Sequence, residues 1–271
     1  MNPYSIPPFI TASLLLFLSS FVLYKNWKSI FNRIFFLLGL ASTIWLFSYS
    51  FAYTIVLEQE AQLWFKIGYC GIVFIAVVFF HYTIEFLKLE KMKPLVIGSY
   101  LIGFLWIILI WKSLFFIKGV TKYFWGYYPL AGLVHPLFLI FFIGLVSFAL
   151  VLLFYSFLLK KKEWSALKRI QIKYIFLAFF VFNFASVDFL PNYGLEIYPF
   201  GYIPAFFFAI IIAYIILRYQ LLDIRVAITR AGIFLVVYTL VLGIPLLINY
   251  KYGWKHSIWL MLILATLGPF I

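Results

Sequence analysis

Residues 65–93 read FKIGYCGIVFIAVVFFHYTIEFLKLEKMK, an apolar run that ends in a short cluster of lysines. A helix needs about 20 mainly apolar residues to cross the roughly 30 Å hydrocarbon core of a bilayer. The part of this run from Phe65 to Leu87 meets that length. The same pattern of an apolar run and a short charged loop recurs along the 271 residues. It predicts an all-α fold, a polytopic membrane helix bundle.

The composition indicates the same class for the whole chain. Hydrophobic residues make up 66% of it, aromatic residues 24% and charged residues 11%. Soluble domains average about half apolar and about a quarter charged residues. The net charge of +13 calls for no nucleic acid partner, because Lys and Arg lie mainly in short loops, where they set membrane topology. The expected surroundings are the lipid bilayer.

The apolar runs predict about nine transmembrane helices. Their ranges are 6–24, 34–57, 65–87, 95–111, 134–159, 174–189, 197–217, 232–248 and 258 onward. Most of the 21 basic residues lie in alternate loops, and so on one side. That set is Lys25, Lys28, Arg33, Lys88, Lys91, Lys93, Lys160, Lys161, Lys162, Lys168, Arg169, Lys173, Arg218, Arg225 and Arg230. Because Lys and Arg accumulate on the cytoplasmic side, we predict an N-terminus outside and a C-terminus inside.

Two stretches between and after these helices carry further expectations. Residues 123–129 read YFWGYYP within the longest connection, 112–133. Aromatic rings favour the membrane interface, so this loop is expected to form a lid on the outer surface. The last segment, 258–271, covers about 21 Å at the helical rise per residue. We expect that the sequence stops short of a cytoplasmic output domain; the alternative is a chain that ends in a short or re-entrant helix.

Four stretches resemble one family of membrane receptors. Residues 214–225 read YIILRYQLLDIR, which resembles the helix-end signature of the N-terminal seven-transmembrane sensor domains of bacterial histidine kinases. The stretches GYCG at 68–71 and FFHYTIEFL at 79–87 resemble the third helix of that family. The stretch YPFGYIP at 198–204 resembles its entry to helix seven. The resemblance spans most of the chain.

The resemblance implies a domain organisation and a setting. Residues 1–225 would form the seven-helix sensor domain. Residues 226–271, with ITRAGIF at 228–234, resemble a two-helix membrane hairpin that precedes a GAF and kinase module in some members. The family implies a multi-pass protein of the inner (plasma) membrane and a homodimer formed through a cytoplasmic domain missing here. The sequence has no phosphoacceptor helix or ATP-binding glycine motif, so this chain alone is not expected to phosphorylate a substrate.

Ionisable residues inside the spans are the first candidates for ligand or switch sites. Each costs about 2.5–3.5 kcal/mol at mid-bilayer on insertion scales, so its presence needs a reason. His81 and Glu85 lie four residues apart and share one face of the third helix. They form either a polar clasp between helices or a switch that responds to protons or a ligand, because histidine titrates near neutral pH.

Asn183 and Asp188 are candidates on the predicted sixth helix, with Asp188 toward its outer end. Asp188 either forms a salt link with a lysine of the aromatic loop or belongs to a ligand pocket. The lysines in question are Lys112, Lys118 and Lys122. The expected ligand is an unknown small or hydrophobic molecule.

His135 precedes Pro136 at the start of the fifth helix, where proline suits the first turn. We expect this histidine, the last ligand or switch candidate, to lie at the membrane interface. The chain has three histidines and one cysteine, Cys70, with no HExxH motif. We therefore predict neither a metal site nor a cofactor, and interpret Cys70 as a small packing residue.

The end of helix seven and the segment after it are predicted to relay a signal. Between Arg218 and Arg230, cations alternate with apolar residues. The segment could therefore lie along the inner membrane surface, or be an ordinary cytoplasmic loop. Its relay residues would be Arg218, Asp223, Arg225 and Arg230. The predicted function is a sensory input domain of a bacterial signalling receptor.

Other classes of membrane protein fit the sequence less well. A transporter, channel or membrane partner subunit is the alternative, but the chain shows no internal repeat and few polar residues near span centres beyond Asn183. An enzyme would need histidine and a carboxylate at one depth, whereas His81 and Asp188 are predicted near opposite ends of the bundle. A retinal protein needs a lysine on helix seven for its Schiff base, and residues 197–217 contain none.

Overall fold

The computed structural model describes residues 2–112, 115–158 and 164–219. The chain divides into two compact units, Met1–Leu222 and Asp223–Ile271. The second unit lies wholly outside the described residues. The predicted helices eight and nine, the hairpin 226–271 and the relay residues Asp223, Arg225 and Arg230 therefore lie outside them as well.

Seven α-helices make up most of the described chain. They are α1 (Ile6–Lys25), α2 (Ile30–Ala52), α3 (Glu58–Phe86), α4 (Lys93–Lys112), α5 (His135–Leu158), α6 (Ala166–Asn183) and α7 (Tyr202–Tyr219). Six helical segments of the described chain are long and apolar enough to cross a membrane, and Tyr202–Ile216 forms a shorter apolar helix. The prediction of a polytopic membrane helix bundle is confirmed at this level.

Several helix ends differ from the predicted ones for local reasons. Helix α3 begins at Glu58 rather than near Phe65, because acidic residues in a first turn complement the helix dipole. Helix α6 begins earlier than predicted, at Ala166, where the Ser165 hydroxyl accepts the Lys168 N–H and caps the helix. Its α-helical part ends at Asn183, and the chain continues as a 3₁₀ helix over Phe184–Phe189.

The aromatic loop contains strands, so the all-α prediction was wrong for this segment. Strands β1 (Ile117–Tyr123) and β2 (Gly126–Ala131) pair antiparallel, and Tyr123 lies opposite Gly126. Gly126 closes the turn with φ of 133°, a conformation that L side chains rarely adopt. A Cβ at this position would also lie 2.8 Å from the Tyr53 carbonyl oxygen. The strands include the aromatic and β-branched residues Ile117, Val120, Thr121, Tyr123, Tyr127 and Tyr128, which favour strands.

The β-hairpin packs onto one end of the helices. Tyr128 is fully buried, and its ring centroid lies 5.6 Å from that of Tyr49 on α2 and 5.7 Å from that of Phe65 on α3. The Asn2 side-chain amide donates to the carbonyl oxygens of Tyr53 and Trp125, which joins the N-terminus to the same end. We call this end, residues 53–57, 115–134 and 188–201, the hairpin end.

The opposite end of the bundle is rich in cations, and we call it the basic end. Its described cations include Lys25, Lys28, Arg33, Lys88, Lys91, Lys93, Lys168, Arg169, Lys173 and Arg218. The Lys168 Nζ donates to the Phe86 carbonyl oxygen at 3.0 Å, which joins the start of α6 to the end of α3. Between the two ends, α2 and α3 are the most buried spans, whereas α4 and α5 expose wide apolar faces suited to lipid.

Candidate functional site

A cavity lies between α2, α3, α5 and the end of α6. About 530 Å³ of space separates its lining atoms, counting its open mouth. Most of its wall is aromatic and aliphatic, as is typical of small-molecule sites. The lining residues are Trp45, Tyr49, Ile72, Ile75, Phe79, Phe142, Val146, Phe179, Phe182, Asn183, Ala185, Ser186, Asp188 and Phe189. We call this space the aromatic cavity.

Asp188 contributes the one carboxylate among the lining residues. The 3₁₀ helix Phe184–Phe189 winds more tightly than an α-helix and positions this side chain, which is 9% exposed. The Gly201 N–H donates to Asp188 Oδ1 at 2.7 Å. The Tyr128 hydroxyl donates to the Asp188 carbonyl oxygen at 2.6 Å and so links the hairpin to the cavity wall.

The close approach of Gly201 explains why this position lacks a side chain. A Cβ on Gly201 would lie 2.6 Å from Asp188 Oδ2 and 2.9 Å from the Ala185 carbonyl oxygen. Both distances are shorter than real Cβ contacts. The glycine therefore lets the backbone before α7 reach the carboxylate.

Asp188 forms no ion pair with any residue that the structure describes. The salt link considered with Lys112, Lys118 or Lys122 is absent, because those lysines are exposed whereas Asp188 is buried behind Tyr128. Burial raises the pKa of the Tyr128 phenol well above its usual value, and the charge of Asp188 raises it further. The pKa of Tyr53 is raised by the same two causes, in the same order. These phenols therefore stay neutral beside the carboxylate.

His135, expected at the membrane interface, lies behind the cavity wall and is enclosed by protein side chains. It is fully buried at the start of α5, with its ring centroid 6.0 Å from that of Phe189. Its Nε2 lies 2.7 Å from the Tyr69 hydroxyl, and its Nδ1 lies 2.8 Å from the Tyr193 hydroxyl. The histidine is enclosed by Phe116, which precedes β1, and by the segment 191–193.

These contacts form a chain of hydrogen bonds whose directions follow from the tautomer of His135. The Asn192 Nδ2 donates to the Tyr69 hydroxyl at 2.6 Å. If Tyr69 donates in turn to His135 Nε2, then His135 Nδ1 carries the proton and donates to Tyr193. A neutral His135 satisfies every contact of this chain, which fixes the ring behind the cavity wall.

The sequence did not predict a site role for Tyr69, Asn192, Tyr193 or Gly201. Tyr69 and Gly201 lie within stretches used for the family resemblance, but no role could be assigned to them from that. Their partners are distant in sequence, since Asn192 and Tyr69 are 123 residues apart. For Tyr69, Asn192 and Tyr193, a polar side chain within or beside an apolar run was the one available signal in the sequence.

His81 and Glu85 are not part of the aromatic cavity. The His81 Nδ1 lies 3.1 Å from the Tyr100 hydroxyl of α4. The Glu85 carboxylate lies 3.9 Å from Lys93 Nζ at the start of α4. These contacts join α3 to α4 toward the basic end, which is the geometry that a polar clasp between helices requires.

Asn183 and Asp188, in contrast, both line the aromatic cavity, and Asn183 is exposed there. Two of the five ligand or switch candidates predicted from the sequence therefore lie at one site. His135 lies behind its wall, and the other two lie elsewhere on α3. Among residues 2–112, 115–158 and 164–219, no group of three or more His, Cys, Asp and Glu side chains could hold a metal ion.

Helix α7 packs against the α6 wall of the aromatic cavity, on the side that faces away from the cavity. Phe208 of α7 is 1% exposed, and its ring stacks on Phe182 with centroids 4.8 Å apart. The Phe208 centroid lies 5.1 Å from that of Phe179, which itself stacks on Phe79 at 3.7 Å. The two α6 rings that face the cavity thus also contact α7.

The end of α7 is joined to α6 at the basic end. The Gln171 side-chain amide donates to the Tyr219 carbonyl oxygen at 2.9 Å, and the Tyr174 and Tyr219 rings stack with centroids 5.4 Å apart. Arg218 is exposed in the last turn of α7. Of the four predicted relay residues, Arg218 is the one that the structure describes.

The fold and its cavity define a polytopic helical membrane protein with an internal aromatic site. Residues 7–225 match the family described as the N-terminal 7TM region of histidine kinase. This match covers most of the chain, and the chain belongs to that family. The resemblance recognised from the sequence is thereby confirmed. The comparison with curated proteins gave no match.

Proposed function

We propose that this chain provides the sensory input domain of a histidine kinase and binds a small molecule in the aromatic cavity. The observation that supports this most directly is the packing of Phe208 on Phe179 and Phe182. A molecule in the cavity would touch one side of the α6 rings, while α7 touches the other side. Occupancy of the cavity would thus act on the position of α7.

The signal would arise from a difference in affinity between two arrangements of α6 and α7. A ligand shifts such an equilibrium only by its preference for one arrangement. Gln171 and Tyr174 join α6 to the last turn of α7, so both helices would move together at the basic end. Arg218, and after it Asp223, Arg225 and Arg230, would carry the movement to a cytoplasmic signalling module.

The charge distribution supports an orientation for this relay. We propose that the hairpin end faces outward and the basic end faces the cytoplasm of a bacterial cell, in its inner membrane. Residues 1–225 would form the seven-helix sensor, and residues 226–271 would add a hairpin of two spans. The cytoplasmic module would bring two copies together as a homodimer.

The coupling through Phe208 is testable with the chain joined to the kinase core of a characterised histidine kinase in membrane vesicles. Phe208→Leu removes the stacked ring but keeps an apolar side chain. It should change autophosphorylation by about fivefold or more, in line with typical coupling energies between sites. Phe207→Leu is the matched control, because Phe207 lies next to it on α7 and is 51% exposed.

The outcome depends on the difference between the two variants at equal membrane abundance. A change with Phe208→Leu alone would support the route through α6 and α7. Equal autophosphorylation in both variants and the parent would contradict it, because the ring contact would then carry no signal.

A further inference from the structure

We propose that the aromatic cavity binds a small organic cation, an ammonium group with an apolar or aromatic body, with the charged group beside Asp188. The inference deepens the proposed function and rests on it for the choice of this cavity as the ligand site. It concerns the chemistry of the ligand rather than the output.

The charge balance of the site favours a cationic ligand. A buried carboxylate is costly unless it is paired and hydrogen-bonded. Asp188 accepts a hydrogen bond from the Gly201 N–H and forms no ion pair within the described chain. The neighbouring phenols of Tyr53 and Tyr128 remain neutral. A cationic ligand would provide the counter-charge that the protein side chains around Asp188 do not.

The aromatic wall of the cavity also favours a cationic ligand. Cations are attracted to the faces of aromatic rings, most strongly to tryptophan. Trp45 and Tyr49 of α2 line the same cavity as Asp188, and phenylalanines of α3, α5 and α6 complete the wall. An anionic ligand would meet the negative carboxylate, and a hydrocarbon would leave it unpaired. An ammonium with an apolar body is complementary to both parts of the site.

The Asp188 carboxylate is held in place before any ligand binds. The Gly201 N–H fixes Oδ1, and the absent Cβ of Gly201 allows its backbone to approach the carboxylate this closely. The Tyr128 hydroxyl fixes the backbone of the same residue through its carbonyl oxygen. A preorganised acceptor loses less freedom on binding and so favours affinity.

The test is binding of two probes of the same shape to the full chain in lipid nanodiscs containing phosphatidylglycerol alone. Phenethylammonium carries the charge, and 2-phenylethanol replaces the ammonium by a hydroxyl. Isothermal titration should show that the parent protein prefers the ammonium by about tenfold or more, as expected for a hydrogen bond to a charged group.

Asp188→Asn keeps an oxygen for the Gly201 N–H and removes the charge. It should abolish the preference for phenethylammonium while leaving the affinity for 2-phenylethanol within about twofold of the parent. Glu85→Gln is the matched control, because Glu85 lies outside the cavity near α4. This control should keep the preference of the parent.

Equal affinity for both probes in the parent, or an unchanged preference in Asp188→Asn, would overturn the proposal. If Asp188→Asn does not fold, the probe comparison on the parent still decides it. Adding phosphatidylethanolamine to the nanodiscs distinguishes two sources of the ammonium. Weaker binding of the probe would identify a lipid headgroup as the occupant, and unchanged binding would identify a free amine; both support the ammonium site.

The binding result and the signalling result are independent. Equal affinity of the parent protein for the two probes, with an intact effect of Phe208→Leu on phosphorylation, would overturn the ligand class alone. A clear preference with no effect of Phe208→Leu would overturn the sensory coupling and leave the cation site in place.

Discussion

At the scale of single residues, the site depends on the contact between Gly201 and Asp188. The contact joins the residue before α7 to the cavity wall through one hydrogen bond of 2.7 Å. Asp188 was predictable as a site residue because a carboxylate in an apolar run is conspicuous. Gly201 was not, because the need for a missing Cβ arises from an approach between segments 13 residues apart.

Gly201→Ala should therefore destabilise the protein. The added methyl group would lie 2.6 Å from Asp188 Oδ2 and force the carboxylate or the start of α7 to move. Overpacking of this kind lowers the free energy of unfolding by about 1–3 kcal/mol, measurable by denaturant titration in mixed micelles. Gly144→Ala is the control, because no atom lies within 4 Å of a Cβ built there. Equal losses in both variants would show that the contact is unimportant.

Other residues of the site were predicted by type but not by environment. His135 was expected at the membrane interface, and its burial results from partners that the sequence does not connect to it, Tyr69 and Tyr193. The same holds for Asp188, for which a lysine partner and a ligand pocket were both considered. Burial behind Tyr128 excludes the lysines, and this depends on the fold of the hairpin.

At the scale of secondary structure, the β-hairpin is the element that the sequence did not predict. Its aromatic residues were interpreted as an interfacial loop, because rings favour both strands and membrane interfaces. Each strand is short, at seven and six residues. The packing of Tyr128 on α2 and α3 gives the hairpin a buried face that a free interfacial loop would lack.

Gly126→Ala should loosen this hairpin. The substitution strains a residue with φ of 133° and places a Cβ 2.8 Å from the Tyr53 carbonyl oxygen. Strain of this kind costs on the order of 1–3 kcal/mol. Trypsin cleavage after Lys118 or Lys122 should accelerate by about tenfold in the reconstituted protein.

Gly119→Ala serves as the control for this cleavage experiment. Gly119 lies in β1, and no atom lies within 4 Å of a Cβ built there. Cleavage of this variant should match the parent. If Gly126→Ala is cut no faster than the control, the turn does not hold the hairpin in place.

At the scale of the whole molecule, the helices were predictable and the cavity was not. Apolar runs locate α1 to α5 to within a few residues at most ends, because membrane length is a property of local sequence. The aromatic cavity forms where side chains of four helices meet, from Trp45 on α2 to Phe182 on α6. Such a meeting point depends on helix packing, for which a run of apolar residues gives no signal.

The proposed orientation of the bundle is testable by cysteine labelling. Cys70 is the single cysteine, so Cys70→Ser provides a background without thiols. In spheroplasts, a membrane-impermeant maleimide should label Thr121→Cys at the hairpin end and leave Lys91→Cys at the basic end unlabelled until the membrane is opened. The reverse pattern would contradict the orientation inferred from the charges.

The most direct test of the central claim fills the aromatic cavity without a ligand. Val146→Trp places a large ring into the cavity from α5, and Val151→Trp places the same ring on the exposed side of that helix. With the chain joined to a kinase core, autophosphorylation should differ between the two variants by about fivefold or more. Equal phosphorylation at equal membrane abundance would contradict the claim that cavity occupancy sets the output.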